Sequence, residues 1–269
     1  MSIIGIDIGG STTKIIGLRD TKTLAPCLVK ANDPVASLFG AFGKFIDANN
    51  IALSEIDRVM ITGVGASFLT KPIYGIKTVK VEEFLANGLG GLFLSGLGEA
   101  LIVSMGTGTA LVEAGKNIRH IGGTGIGGGT IMGLANKMLN IRDIDLIIQM
   151  AQSGNLSHVD LMVGDITKDA LPGLPPHTTA SNFGRISDVA TSGDIALGII
   201  NLVMQSVGMS AVFAARGLNM NDTVLIGNLT AIPQCAVIFD NLKELFSMNF
   251  IIPPQAEYAT ALGAALAHD

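Results

Sequence analysis

Apolar positions along the chain fall into two kinds of run. The opening "SIIGIDIGGSTTKIIGL" is a β-branched run ending at Asp7, a Gly9-Gly10 break, hydroxyls, Lys14 and a second β-branched run. That pattern predicts a strand, a tight turn and a returning strand. "ALIVSMGTGTALVEAG" (100–115) has the same layout about a hundred residues later. "IDRVMITGVGASFL" (56–69) and "DTVLIGNLT" (222–230) each predict a strand that ends in a glycine-bearing turn. Between them, helical spacing covers 34–49, 82–96, 130–139, 143–152, 194–217, 232–246 and 256–267. Strands interleaved with helices predict an α/β fold whose ligands gather at the carboxyl ends of the strands. The two matching hairpins predict two related lobes, 1–98 and 99–269, facing a cleft.

Composition changes this picture little. With 269 residues and 48% hydrophobic content the chain has ample material for a core. The most apolar stretch, 195–218, is long enough to raise the question of a membrane span. Asn201, Gln205, Ser206, Ser210 and Arg216 interrupt it and no Lys/Arg cluster flanks it, so it is expected to be a core helix and no membrane partner is expected. A net charge of -5 argues against a nucleic-acid partner, whose phosphates reward basic surfaces. Cys27 and Cys235 are far apart, with no histidine at metal spacing, which points to free thiols in a reducing cytoplasm. The opening residues lack a secretory leader pattern, in keeping with that location.

The hairpin turns carry the candidate chemistry. In "DIGGSTTK", Gly9 and Gly10 let backbone amides turn toward a ligand, Ser11, Thr12 and Thr13 add hydroxyl donors, and Lys14 adds positive charge. These are the parts of a phosphate grip. Asp7, at the strand end, suits magnesium held through water. An ordinary hairpin turn would use the same glycines, but "SMGTGTA" repeats the pattern with Gly106, Thr107, Gly108 and Thr109. Two such turns on two lobes can close on phosphates from opposite sides. Neither matches a P-loop or a dinucleotide fingerprint. A third feature, "IGGTGIGGGTIMGL" (121–134), is half glycine, a composition that needs a reason because glycine loses the most backbone entropy on ordering.

The ordered set "DIGGSTTK", "EEFLANGLGG", "SMGTGTA", "HIGGTGIGGGTIMGL", "DLMVGDI", "TASNFG", "VLIGN" and "ATALGAAL" resembles the bacterial type II pantothenate kinases, within the acetate and sugar kinase, chaperone ATPase and actin superfamily. The resemblance covers nearly the whole chain. It implies a two-lobed actin-like ATPase (ribonuclease H-like) fold with a nucleotide cleft between the lobes. It also implies a homodimer that phosphorylates pantothenate from ATP with magnesium, the first step of coenzyme A synthesis. Gly127, Gly128, Gly129, Thr130 and Ile131, opening a helix, would then lie against ATP, with the helix dipole favouring phosphate. Asn228 would join them, and Ser104 and Thr107 would lie beside the acceptor.

Phosphoryl transfer to a hydroxyl needs a carboxylate to receive the proton. Glu83, before Phe84 at the start of the helix after "IKTVKV", matches the family's catalytic position; Glu82 is turned about 100° away on a helix. Relatives carry an arginine directly before the glycine cluster, where it grips the substrate carboxylate. Here that position is His120, and the arginine is Arg119, one residue earlier. Three readings follow: His120 holds the acid, a bulge brings Arg119 in, or the substrate differs. "KDALPGLPPHTTASNFGRI" (168–186) is expected to be loop, with "TASNFG" either near the cleft or capping a helix. Competing functions are a related small-molecule kinase for an amino sugar or other hydroxy acid, an ATP-hydrolysing dehydratase activator, and an actin-type scaffold. The activators place cysteines in a Cys-Ala-Ala-Gly-Thr-Gly context, which neither Cys27 nor Cys235 has.

Overall fold

The computed structural model describes residues 1–10, 12–20, 22–30, 33–169 and 171–267. Strand β1 (Ser2–Ile8) and strand β2 (Thr12–Arg19) form the predicted hairpin, with Ile6 opposite Ile15 and Asp7 opposite Lys14. Two short strands, β3 (Lys22–Thr23) and β4 (Cys27–Lys30), add to β2. Helix α1 (Pro34–Ala48) starts where Asp33 accepts the amides of Val35 and Ala36 and Pro34 fixes the first helical φ. Strand β5 (Ile56–Thr62) pairs parallel with β1, and β6 (Thr78–Lys80) pairs parallel with β5.

Helix α2 (Glu83–Ser95) leads into the second half. There β7 (Ala100–Met105), β8 (Thr109–Ala114) and β9 (Ile118–Thr124) form an antiparallel meander. Helices α3 (Gly128–Leu139) and α4 (Ile144–Ala151) follow. A small excursion, β10 (Leu161–Met162), α5 (Val163–Ile166) and β11 (Thr179–Ser181), comes before the long helix α6 (Ser192–Leu218). Strand β12 (Asp222–Ile226) pairs parallel with β7, and α7 (Pro233–Phe246) leads to β13 (Asn249–Ile251), parallel to β12. Helix α8 (Ala259–Leu266) ends the described chain.

The two large sheets run β3-β2-β1-β5-β6 and β13-β12-β7-β8-β9. Each is a three-strand meander extended by two parallel strands beyond its first strand, the same order twice. All seven helices foreseen from apolar spacing are present. The peripheral strands β3, β4, β10, β11 and β13, each two to four residues long, were not foreseen, because such runs are too short to show alternation.

The layers stack as α1, first sheet, the α2/α8 pair, second sheet, then α3, α4, α6 and α7. Phe42, Phe45 and Leu38 of α1 pack on Ile4, Ile6, Ile8 and Ile15 of the first sheet. Leu101, Val103 and Leu225 of the second sheet meet Ile199, Val203 and Val207 of α6. Helix α6 is the only described helix long and apolar enough to cross a membrane, and 61% of its most apolar window is buried inside the protein. Asn201, one of the polar residues that marked it as a core helix, is buried and donates to the Asp160 carboxylate at 2.9 Å.

Between the sheets the connection crosses. Helix α2, which follows the first sheet, packs on β7, β8, β9 and β12, while α8, at the far end of the sequence, packs on β1, β2 and β5. The two helices touch through backbone. A Cβ on Gly90 would fall inside the Ala259 carbonyl, and one on Gly263 inside the Ala86 carbonyl.

Candidate active site

The carboxyl ends of β1, β5, β7 and β12 open onto one cavity of about 350 Å³. Asp7, Gly9, Gly10, Thr12, Lys14, Glu83, Ser104, Gly106, Thr107, Gly108, Thr109 and Asn228 line it, so twelve of the residues singled out from sequence meet there. The first turn closes through the Gly9 amide donating to the Thr12 carbonyl at 2.9 Å, and the second through the Gly106 amide donating to the Gly108 carbonyl at 2.9 Å. Across the gap the Asn228 side-chain amide reaches the Thr12 hydroxyl at 3.4 Å, joining residues 216 apart in sequence.

Charge in this cavity is held out of water. Lys14 Nζ lies 3.8 Å from an Asp7 oxygen, with the two side chains only 6% and 13% exposed. Burial raises the Asp7 carboxyl and Lys14 partly offsets it. Burial lowers the Lys14 ammonium, against the pull of Asp7, Glu257 and Glu83. Glu83 is also raised, first by burial and then by repulsion from Asp7 and Glu82, with Lys14 opposing. One buried cation among several carboxylates leaves the cavity short of positive charge, which fits a divalent ion beside Asp7. Among the described residues no group of three or more His, Cys, Asp or Glu gathers. A single carboxylate with phosphates and water is a donor set that suits magnesium.

Glu83 is the first residue of α2. Its neighbour Glu82 caps that helix from outside, accepting the Leu85 amide at 2.6 Å while remaining exposed. One carboxylate is thus occupied with holding the helix end, and the other lines the cavity.

Strand alternation separates several candidates. Thr13 lies on the α1 face of β2 with Ile15, buried and with its hydroxyl unpartnered, whereas Thr12 and Lys14 line the cavity. Ser11 lies outside the described residues. Arg119 and His120 occupy opposite faces of β9. The β8–β9 register slips between Leu111 and Val112, beyond both residues, so Arg119 still pairs with Glu113 and His120 with Val112. Arg119 donates twice to Glu113 Oε2, at 2.7 and 2.9 Å. His120 stacks flat on Phe84, ring centroids 3.8 Å apart and planes 5° from parallel, beside Glu83. The bulge that would have brought Arg119 inward therefore does not do so.

The glycine cluster makes room for the second Gly/Thr turn. Gly122, Gly123 and Thr124 belong to β9, and α3 begins at Gly128. A Cβ on Gly127 would sit 2.6 Å from the Thr107 carbonyl oxygen and 2.8 Å from Gly108 Cα, and one on Gly128 or Gly129 about 3.1 Å from the Gly106 or Thr107 carbonyl oxygen. The amides of Gly128 and Gly129 donate to those same carbonyls, each at 2.9 Å. The Gly127 amide goes to the Thr130 hydroxyl, and the Thr130 amide to the Gly127 carbonyl. Two of the first-turn donors of α3 are therefore spent on the second Gly/Thr turn, and Gly127, Gly128, Gly129 and Thr130 are not among the cavity-lining residues. Ile131 is fully buried in the α6 core.

Sequence reading missed Gly63, Val64, Ala110, Thr124 and Thr260 in the lining. Gly63 had a signal, the glycine turn that ends β5. It has φ +87°, and a Cβ there would sit 2.6 Å from an Asp7 carboxylate oxygen. Thr260, inside an Ala-rich helix, had none.

"TASNFG" does not line this cavity and caps no helix. Its Thr179 hydroxyl and Phe183 amide donate to the fully buried Asp160 at 3.1 and 2.9 Å. It borders a larger cavity, about 830 Å³, between α6, α7 and the 163–179 segment, which contains no predicted site residue.

Comparison with known proteins places this geometry. A family model described as Fumble matches residues 99–246. A type II pantothenate kinase of Staphylococcus aureus (bovine strain) is 31% identical over 236 residues, 84% of each chain, and that of strain COL is 30% identical over the same coverage. This chain belongs to the type II pantothenate kinase family. Among solved structures, the activator of the 2-hydroxyisocaproyl-CoA dehydratase from Clostridium difficile with bound ADPNP matches with TM-score 0.70 at 16% identity, over 99% of this chain and 93% of that one. A ROK family glucokinase from Streptomyces griseus in complex with glucose and AMPPNP matches with TM-score 0.61 at 13% identity, over 98% of both. These likenesses establish the two-lobed actin-like ATPase fold for this member of the family.

Proposed function

We propose that the chain transfers the terminal phosphoryl group of ATP to the primary hydroxyl of pantothenate, giving 4'-phosphopantothenate, the entry to coenzyme A. The observation that carries this reading is the meeting of Asp7, Lys14, Glu83 and two Gly/Thr turns in one cavity of a chain from this kinase family. Glu83 takes the hydroxyl proton as that oxygen bonds to phosphorus and the bridging oxygen leaves with ADP. The burial that raises Glu83 suits a base that must hold a proton transiently near neutral pH. Lys14 and the turn at Thr107 steady the phosphates. Asp7 would hold magnesium, which when bound supplies charge neutralisation to the phosphates.

In this reading His120, held flat on Phe84, takes the acceptor carboxylate in place of an arginine. His120→Ala is expected to raise the KM for pantothenate about tenfold with little change in kcat, the pattern of lost uniform binding, while Arg119→Ala leaves both near wild type. The same reading includes a homodimer, measurable by light scattering, a division into lobes 1–98 and 99–269, and a cytoplasmic location in keeping with the buried free thiols of Cys27 and Cys235.

The deciding experiment is ADP release with ATP and magnesium, with and without pantothenate, for wild type and Glu83→Gln. Turnover that requires pantothenate and is lost in the variant supports the reading. Nucleotide binding without a pantothenate response would redirect it to another hydroxy acid or an amino sugar.

A further inference from the structure

The interface between α2 and α8 is built from Ala86, Gly90, Ala259 and Gly263, whose backbones touch. The backbone contact by itself fixes the separation of the two helices better than their shift along each other, and apolar packing of Leu89 and Leu94 of α2 against the clusters of Ala264 and Leu262 is not directional. One polar pair interrupts it. The Thr260 hydroxyl donates to Asn87 Oδ1 at 2.7 Å, with both residues buried. A directional bond of this kind defines the shift that small-residue contact leaves loose.

Two further observations tie this bond to the chemistry. Asn87 lies four residues after Glu83, on the same face one turn along α2. Thr260 lines the catalytic cavity and belongs to a helix seated on β1, where a Cβ on Gly5 would fall inside the Ala261 carbonyl. That strand carries Asp7. A continuous path therefore runs from Asp7 through β1 and α8 to Thr260, across to Asn87, and back along α2 to Glu83.

We infer that Thr260 and Asn87 form a positioning pair that sets the acid-base carboxylate of α2 in register with the phosphate-binding strand β1. The inference rests on Glu83 acting as the base. Thr260 is a positioning residue: its hydroxyl is committed to Asn87 and acts on the reaction through it.

Thr260→Val keeps the shape and removes the hydroxyl; Thr260→Ser restores it. Because a small misplacement of a catalytic group is costly, Thr260→Val is expected to lower kcat about tenfold while the KM for ATP stays within about twofold, with Thr260→Ser near wild type. Val203→Ala, a cavity in the α6 core far from this pair, controls for lost stability and is expected to keep wild-type kcat below its melting temperature. Thr260→Val with wild-type kcat, Thr260→Ser as impaired as Thr260→Val, or Val203→Ala equally slow would each overturn the inference. So would a rise in the KM for ATP at unchanged kcat, which would make Thr260 a ligand contact instead. If Glu83→Gln itself keeps full kcat, the reading of the base fails; if it is inactive while Thr260→Val is not, only the positioning pair fails.

Discussion

In the proposed reaction Glu83 combines two properties that pull against each other, being placed to accept a proton and poorly solvated for carrying charge. Replacing it with the neutral isostere removes repulsion from Asp7 and Glu82 along with the base. Glu83→Gln is expected to lose at least about a hundredfold in kcat, the usual scale for a positioned general base, yet to melt no lower than wild type by calorimetry. The sign of the pH effect follows from the raised Glu83 carboxyl: as pH falls through it, the base becomes protonated and kcat drops. The acid limb of the kcat profile should thus lie on the alkaline side of the ordinary glutamate range, and a limb within that range would contradict the burial argument. Individual residues were legible from sequence where local pattern decides their direction. Asp7 and Lys14 face each other across a two-stranded hairpin, and Arg119 and His120 must alternate on a strand. The same alternation carries Thr13 away from the cavity that its neighbours face, although its chemistry is identical to that of Thr12. Which face of a strand meets the cavity is a property of packing and is not written in the residue type.

At the scale of elements, the glycine cluster binds α3 to the second Gly/Thr turn. Gly127→Ala would press a methyl group into the Thr107 carbonyl and Gly108 Cα. Overpacking of this kind costs about 1–3 kcal/mol, and the displaced turn is expected to raise the KM for ATP as well. Gly133, exposed on the same helix with nothing within 4 Å of its Cβ position, is the contrast. Gly133→Ala should stabilise by about 0.5–1 kcal/mol, with kinetics unchanged. Comparing the two by urea denaturation and ATP titration separates glycines kept for contact from one that is not. The cluster stood out in the sequence because its composition is costly, but its partner did not. The amides of Gly128 and Gly129 look like ligand donors until the carbonyls of Gly106 and Thr107, more than twenty residues earlier, are seen to accept from them.

For the whole molecule, the repeated strand order was legible because both hairpins share one pattern, whereas the crossing of α2 and α8 was not. Nothing in "ATALGAAL" distinguishes a helix that returns to the first sheet from one that stays with the second. Seven of the eight residues of α8 are buried, and Gly5 packs against Ala261 and Ala265. A chain ended after Gln255 is therefore expected to lose its cooperative thermal transition altogether rather than keep a folded first lobe. The same crossing bears on how the protein is made. Strand β1 leaves the ribosome long before the helix that covers it. At about 5–20 residues per second, the inner face of the first sheet stays uncovered for some tens of seconds of synthesis, until the helix that completes it has been made.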